Sequence, residues 1–106
     1  MATIAEFRNF EIKVATIKDV QDHPNADKLY VVTVDLGDKT KQLVAGIKPN
    51  YTKESLIGKQ VAVIDNLEPA VIRGVESQGM ILAATDEAGI TVLTFERRLK
   101  EGSIIK

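Results

Sequence analysis

A chain of 106 residues, 44% hydrophobic and 27% charged, has the size and composition of one ordinary globular domain. It contains no cysteine, which excludes disulfides, thiol chemistry and cysteine metal sites, and its 14 Lys plus Arg against 15 Asp plus Glu leave a net charge of −1. That balance argues against broad attraction to a polyanion, so any nucleic-acid surface has to gather its cations locally. No apolar run approaches the roughly 18 residues of a membrane span and no signal-peptide pattern opens the chain, so the expectation is a cytoplasmic protein with no membrane partner.

In chain order, Thr3 and Glu6 have the spacing of a capping box, which opens a short helix within residues 1–11. Ile4, Phe7 and Phe10 follow at i, i+3 and i+6 as one apolar stripe, suited either to packing on the body of the domain or to a dimer contact. Ile12, Val14 and Thr16 then alternate with Glu11, Lys13 and Ala15 as a strand. The alternation slips at Ile17 and Val20, the pattern of a β-bulge that bends a strand toward closure.

Leu29–Leu36 and Thr40–Ala45 read as a hairpin turning at Leu36-Gly37-Asp38. Thr52–Leu56 reads as a short helix with Thr52 as N-cap and Gly58 as stop. Gln60–Ile64 and Gly79–Ala84 read as the fourth and fifth strands. A further strand, Ile90–Leu93, follows the turn Asp86–Gly89. The charged tail ends in Ile104-Ile105, an apolar pair that must pack on this barrel or on a second copy. Three strands, a short helix and two strands are the order of an all-β, five-stranded Greek-key OB barrel, here at 12–84 with a C-terminal extension at 85–106.

Five segments are more specific than a generic barrel: Phe10–Val14, His23–Leu29, Gln42–Ile47, Leu56–Lys59 and Asn66–Met80. Together, in this order and over nearly the whole chain, they resemble the tRNA-binding domain family, with Glu76-Ser77-Gln78-Gly79-Met80 the most specific run. That family includes stand-alone structure-specific tRNA-binding proteins, the C-terminal domain of many methionyl-tRNA synthetases and the endothelial-monocyte-activating-polypeptide type of domain. The resemblance implies an OB barrel paired as a homodimer that recognises tRNA by shape. It also implies an auxiliary role, raising the tRNA affinity of an aminoacyl-tRNA synthetase catalytic domain in cis or in trans.

The residues themselves suggest how. Lys28 follows a loop and can project an ammonium toward phosphate, and Arg73 lies in the loop between strands 4 and 5, a ligand-binding edge of OB folds, with a planar fork suited to phosphate. Ser77 offers a hydroxyl for a phosphate or a ribose 2′-OH, and Met80 a thioether for a base face or for the core. Gln42 and Asn66 are candidate polar contacts that could equally bond loop backbone, and Gln78 is a further candidate. Ile4, Phe7, Phe10, Ile104 and Ile105 are the expected dimer contacts.

The family's usual lysines in the Asn66–Val71 stretch are replaced here by Glu68 and Val71, which predicts a patch weakened or displaced toward Lys28, Lys41 and Lys59. No metal or cofactor is expected, and no enzymatic activity: the one histidine, His23, sits in a Pro-Asn loop, with no second histidine and no P-loop. The alternative is a protein-interaction module or export chaperone on the same barrel, which would need an exposed apolar groove.

Overall fold

Eleven consecutive residues, Ile12–Asp22, form β1, and this one strand organises the molecule in the computed structural model, which describes residues 1–106. Its first half pairs antiparallel with β4, Gln60–Ile64, and its second half with β2, Tyr30–Asp35. The register against β2 shifts between Ile17 and Asp19, leaving Lys18 as the extra residue, where the alternation slips in the sequence. A bulge bends and twists its strand, which lets β1 serve two sides of a barrel.

β3, Thr40–Ala45, returns beside β2, and with β7, Met80–Ile81, the sheet order is β3-β2-β1-β4-β7. A 3-10 turn at Lys48–Asn50 and the helix α2, Lys53–Leu56, connect β3 to β4. The Thr52 side chain accepts the Ser55 N–H to cap α2, and Leu56 is fully buried in the barrel. This is an all-β barrel of the OB type, with the helix where the sequence places it.

Three features differ from the sequence reading. The stretch expected as an open loop between strands 4 and 5 contains a hairpin, β5 (Ala70–Ile72) and β6 (Val75–Ser77). Its two-residue turn is Arg73-Gly74, with φ of +51° and +90°, the sign pair of a type I′ turn. The strand expected at Gly79–Ala84 is two strands. β7, Met80–Ile81, pairs with β4, whereas β8, Ala83–Asp86, leaves the barrel and forms a hairpin with β9, Gly89–Val92. Leu82 is the divide, donating to Ala62 O and accepting from Leu93 N. The N-terminal helix α1 is a single turn, Ile4–Phe7, held by both bonds of the Thr3–Glu6 capping box.

Both faces of β1 and β4 are covered, so polarity alternation misreads which face is inside. Ala15, Ile17, Val61 and Val63 join Val32, Val34 and Leu43 in the barrel core. Ile12, Ala62 and Ile64 form a second, outer cluster against Leu67, Leu82, Phe95 and Ile105. β10, Ile104–Ile105, reaches that outer layer by pairing with Ile12 and Lys13 at the free edge of β1.

Candidate nucleic-acid interface

Two connections meet at one end of the barrel, the β1–β2 loop (23–29) and the β5–β6 hairpin. His23 is 5% exposed. Its Nδ1 accepts the Asn25 N–H at 3.0 Å, which assigns the ring proton to Nε2, and Nε2 donates to Ile72 O at 2.9 Å. Asn25 Nδ2 donates to Arg73 O and Arg73 Nη2 donates to Asn25 O, both at 3.1 Å. These bonds seat the hairpin tip on the loop. Arg73 and Lys28 are exposed and line one shallow recess with Asn25, Ala26, Asp27 and Leu29. Two residues proposed from the sequence are thus adjacent, although 45 positions separate them in the chain.

Gln42, Ser77 and Gln78 occupy the seam where β3 meets β6 and β7. Ser77 is 4% exposed; its hydroxyl accepts the Val44 N–H at 2.9 Å and donates to Gly79 O at 3.0 Å. Gln42 N donates to Gln78 Oε1, Gln42 Nε2 donates to Glu76 O, and Gln78 N donates to Gln42 O, at 2.8–2.9 Å. The seam is therefore closed largely by side chains in place of a regular ladder, and the Ser77 hydroxyl is engaged in it.

Asn66 likewise has protein partners, accepting the Glu11 N–H and donating to Asn9 O, which ties the end of β4 to the start of β1. Met80 lies on β7 opposite Ile64 with its side chain 46% exposed. Val71 is 73% exposed and stands opposite Glu76 on the hairpin; Glu68 is also exposed.

The alternative cations do not gather with Lys28. At the opposite end of β2, the inward-facing alternation of three strands becomes charged: Ala15 gives way to Lys13, Leu43 to Lys41 and Val63 to Asp65. Asp65 is buried and paired with Lys13 at 2.8 Å, Lys41 at 2.7 Å and Lys39 at 3.2 Å. Burial pushes its carboxyl up, but the ammonium groups of Lys13, Lys41 and Lys39 outweigh this and hold it well below the usual carboxylate range. The Asp65 hydrogen bond in turn raises Lys13. Lys41 thus belongs to an ionic plug. Lys59 borders a different recess, with Arg97 and Arg98. Neither the plug nor the role of Asn25 is legible in the sequence, where the one signal for Asn25 is its place two residues after the only histidine.

A second surface is apolar. Ile4, Phe7, Phe10 and Ile104 are exposed, Ile104 by 71%. Phe7, Phe10, Ile12, Ile104 and Ile105 line a groove edged by Arg8, Glu11, Lys13 and Lys106. Ile105 is half-buried against the outer cluster.

An OB-type barrel whose β1–β2 loop and pre-β7 hairpin converge on one cationic rim has the architecture of an oligonucleotide- or oligosaccharide-binding module. Residues 12–104 match the family model described as "Putative tRNA binding domain", and the chain belongs to this family. It is 50% identical over 101 residues to the methionine–tRNA ligase of Thermococcus onnurineus (strain NA1). That match covers 95% of this chain and 14% of the ligase, so the chain spans about one-seventh of the curated relatives' length, corresponding to their C-terminal region.

Among solved structures, a methionyl-tRNA-synthetase-related protein from Pyrococcus horikoshii superposes with a TM-score of 0.92 at 30% identity, covering 100% of this chain and 98% of that one. The CsaA chaperone protein from Picrophilus torridus superposes at 0.93 with 31% identity, covering both chains fully.

Proposed function

We infer that this domain binds tRNA by shape, with little regard for base sequence, as an auxiliary module that raises the tRNA affinity of an aminoacyl-tRNA synthetase, either appended to the enzyme or acting in trans. The observation that carries this reading is the recess where Lys28 and Arg73 stand together on clamped loops. Family membership and the similarity to methionine–tRNA ligases support the partner class. Lys28 and Arg73 serve as phosphate contacts and Met80 as an apolar contact to a ribose or base, while Gln42, Ser77 and Gln78 shape the surface from behind and Asn66 ties β4 to β1.

With about two to four phosphates neutralised, log K falls against log salt with a slope of roughly −0.7 to −0.9 per contact, and affinity at physiological salt is on the order of micromolar. Weak binding suits a tethered module, because tethering raises effective concentration without slowing release. A homodimer through Ile4, Phe7, Phe10, Ile104 and Ile105 would double the site; the support is three exposed apolar side chains, Phe7, Phe10 and Ile104, around one groove, with Ile4 exposed nearby in the chain.

The test is a gel shift of total tRNA across a salt series with the unmodified protein and Arg73→Ala. The expected result is a loss of affinity shared by all tRNAs and a salt slope flatter by about one contact. A loss confined to one tRNA would point to base readout. The apolar groove and the likeness to a CsaA chaperone favour a second reading, capture of unfolded polypeptide. Binding of a reduced, unfolded polypeptide without any binding of tRNA at low salt would establish that reading and overturn the first.

A further inference from the structure

We propose that His23 and Asn25 are positioning residues: they form a clamp that holds the Arg73 guanidinium ready beside Lys28 as a preformed seat for one backbone phosphate. This rests on the tRNA-binding reading above and adds to it how the seat is set.

Three hydrogen bonds cross between the β1–β2 loop and the hairpin tip. One is from His23 Nε2 to Ile72 O, and the other two are the reciprocal pair in which the side chain of Asn25 meets the carbonyl of Arg73 and the side chain of Arg73 meets the carbonyl of Asn25. The fourth bond, from Asn25 N to His23 Nδ1, locks the imidazole in the tautomer that can donate to Ile72. All four are between 2.9 and 3.1 Å.

The tip they hold is an unfavourable one for a side chain. Arg73 has φ of +51°, the chain's one non-glycine residue in the left-handed region, and Gly74 follows at +90°. A non-glycine residue persists there only where surrounding structure fixes it, and such positions cluster at ligand sites. A Cβ on Gly74 would meet Asn25 Nδ2 at 3.5 Å, an ordinary van der Waals contact, so the loop lies beside the tip without crowding it.

The guanidinium has five N–H donors, and the clamp uses one of them, Nη2 to Asn25 O. The remaining donors sit on a fork whose plane is already restrained, over a recess that Lys28 enters three residues after Asn25. Asp27 shares the recess, so its formal charge is +1. An arginine restrained in this way loses less rotamer freedom on meeting a phosphate than a free surface arginine does.

A double-mutant cycle with Asn25→Ala, Arg73→Ala and the double variant, read by tRNA binding, tests this because Asn25 is exposed and its removal leaves the core untouched. Asn25→Ala is expected to weaken tRNA roughly three- to tenfold, the range one hydrogen bond supports, and to leave the midpoint of thermal unfolding nearly unchanged. In the Arg73→Ala background the same change should cost nothing further. Equal losses in both backgrounds, or no loss in either, would overturn the clamp while leaving Arg73 as a contact. An Arg73→Ala variant that binds as the parent protein does would overturn both readings. His23 gives an independent readout: the nitrogen shifts of its ring should place the proton on Nε2 and leave Nδ1 as the acceptor. His23→Gln, which can still donate to Ile72, should keep more affinity than His23→Ala. A proton on Nδ1, or equal affinity of the Gln and Ala variants, would contradict the assigned role.

Discussion

Asp65 is the one buried acid in the molecule, and its environment is made by three residues that individually look like solvent-facing lysines. Lys13 and Lys41 occupy positions where the strand alternation points inward, and Asp65 answers them from the end of β4. Because its folded carboxyl lies below the unfolded value of about 3.9, the stabilisation it brings is complete above that pH and is lost as pH falls below it. Asp65→Asn leaves the ammoniums without their counter-charge and is expected to cost about 2 kcal/mol at pH 7. The gap between the variant and the parent protein should narrow in denaturant titrations carried from pH 5 toward pH 2. A gap that stays constant across that range would mean the carboxylate charge is not what Asp65 contributes.

At the scale of elements, the seam between β3 and the β6–β7 segment is the weak side of the barrel, because side chains substitute there for strand pairing. Gln42 makes contacts through its amide and its backbone with residues 76 and 78. Gln42→Ala is expected to leave the β1–β2–β4 amides protected against hydrogen exchange while those of the 75–79 segment exchange faster by roughly tenfold, since the one bond from Gln42 Nε2 to Glu76 O is lost locally.

Gly79 is the hinge of the same seam. A Cβ there would stand 2.7 Å from Ile64 O and 3.1 Å from a Leu43 methyl, so only glycine lets β7 approach β4. Gly79→Ala should destabilise the fold by about 2 kcal/mol or more, read as a fall in unfolding midpoint, because the obstructing atom is backbone and cannot swing aside.

On the scale of the whole molecule, a net charge of −1 is compatible with the proposed tRNA binding only because the cations are sorted by task. Lys13, Lys39 and Lys41 serve the plug and Lys48 and Lys53 pair with Asp22, whereas Lys28 and Arg73 share a recess with a single carboxylate. The apolar groove of α1 and β10 lies on the outer layer, apart from that recess. Ile104→Glu places a charge in the middle of the proposed dimer contact at a side chain that is exposed in the protomer. It should convert a dimer to an 11.6 kDa monomer in sedimentation with little change in protomer folding. A parent protein that sediments as a monomer at high concentration would contradict the dimer.

Local chemistry made much of this legible in the sequence. The Thr3–Glu6 box, the β2–β3 hairpin, the bounds of Thr40–Ala45 and Gln60–Ile64, the cap at Thr52 and the slip at Ile17 each depend on residues within a few positions of one another. So does the motif run that places the chain in its family. Three things were decided only by the closed sheet. It determined which face of β1 and β4 is interior, since both are apolar and both are covered. It turned Lys13 and Lys41 inward onto Asp65, and it used Ser77 and Gln42 to close a seam. The β5–β6 hairpin, three residues a strand, is too short to show a period and is held at its tip by His23 and Asn25 and along β6 by Gln42 and Val44, all more than thirty residues away. Contacts at that separation follow from how the chain returns on itself, which no local pattern encodes.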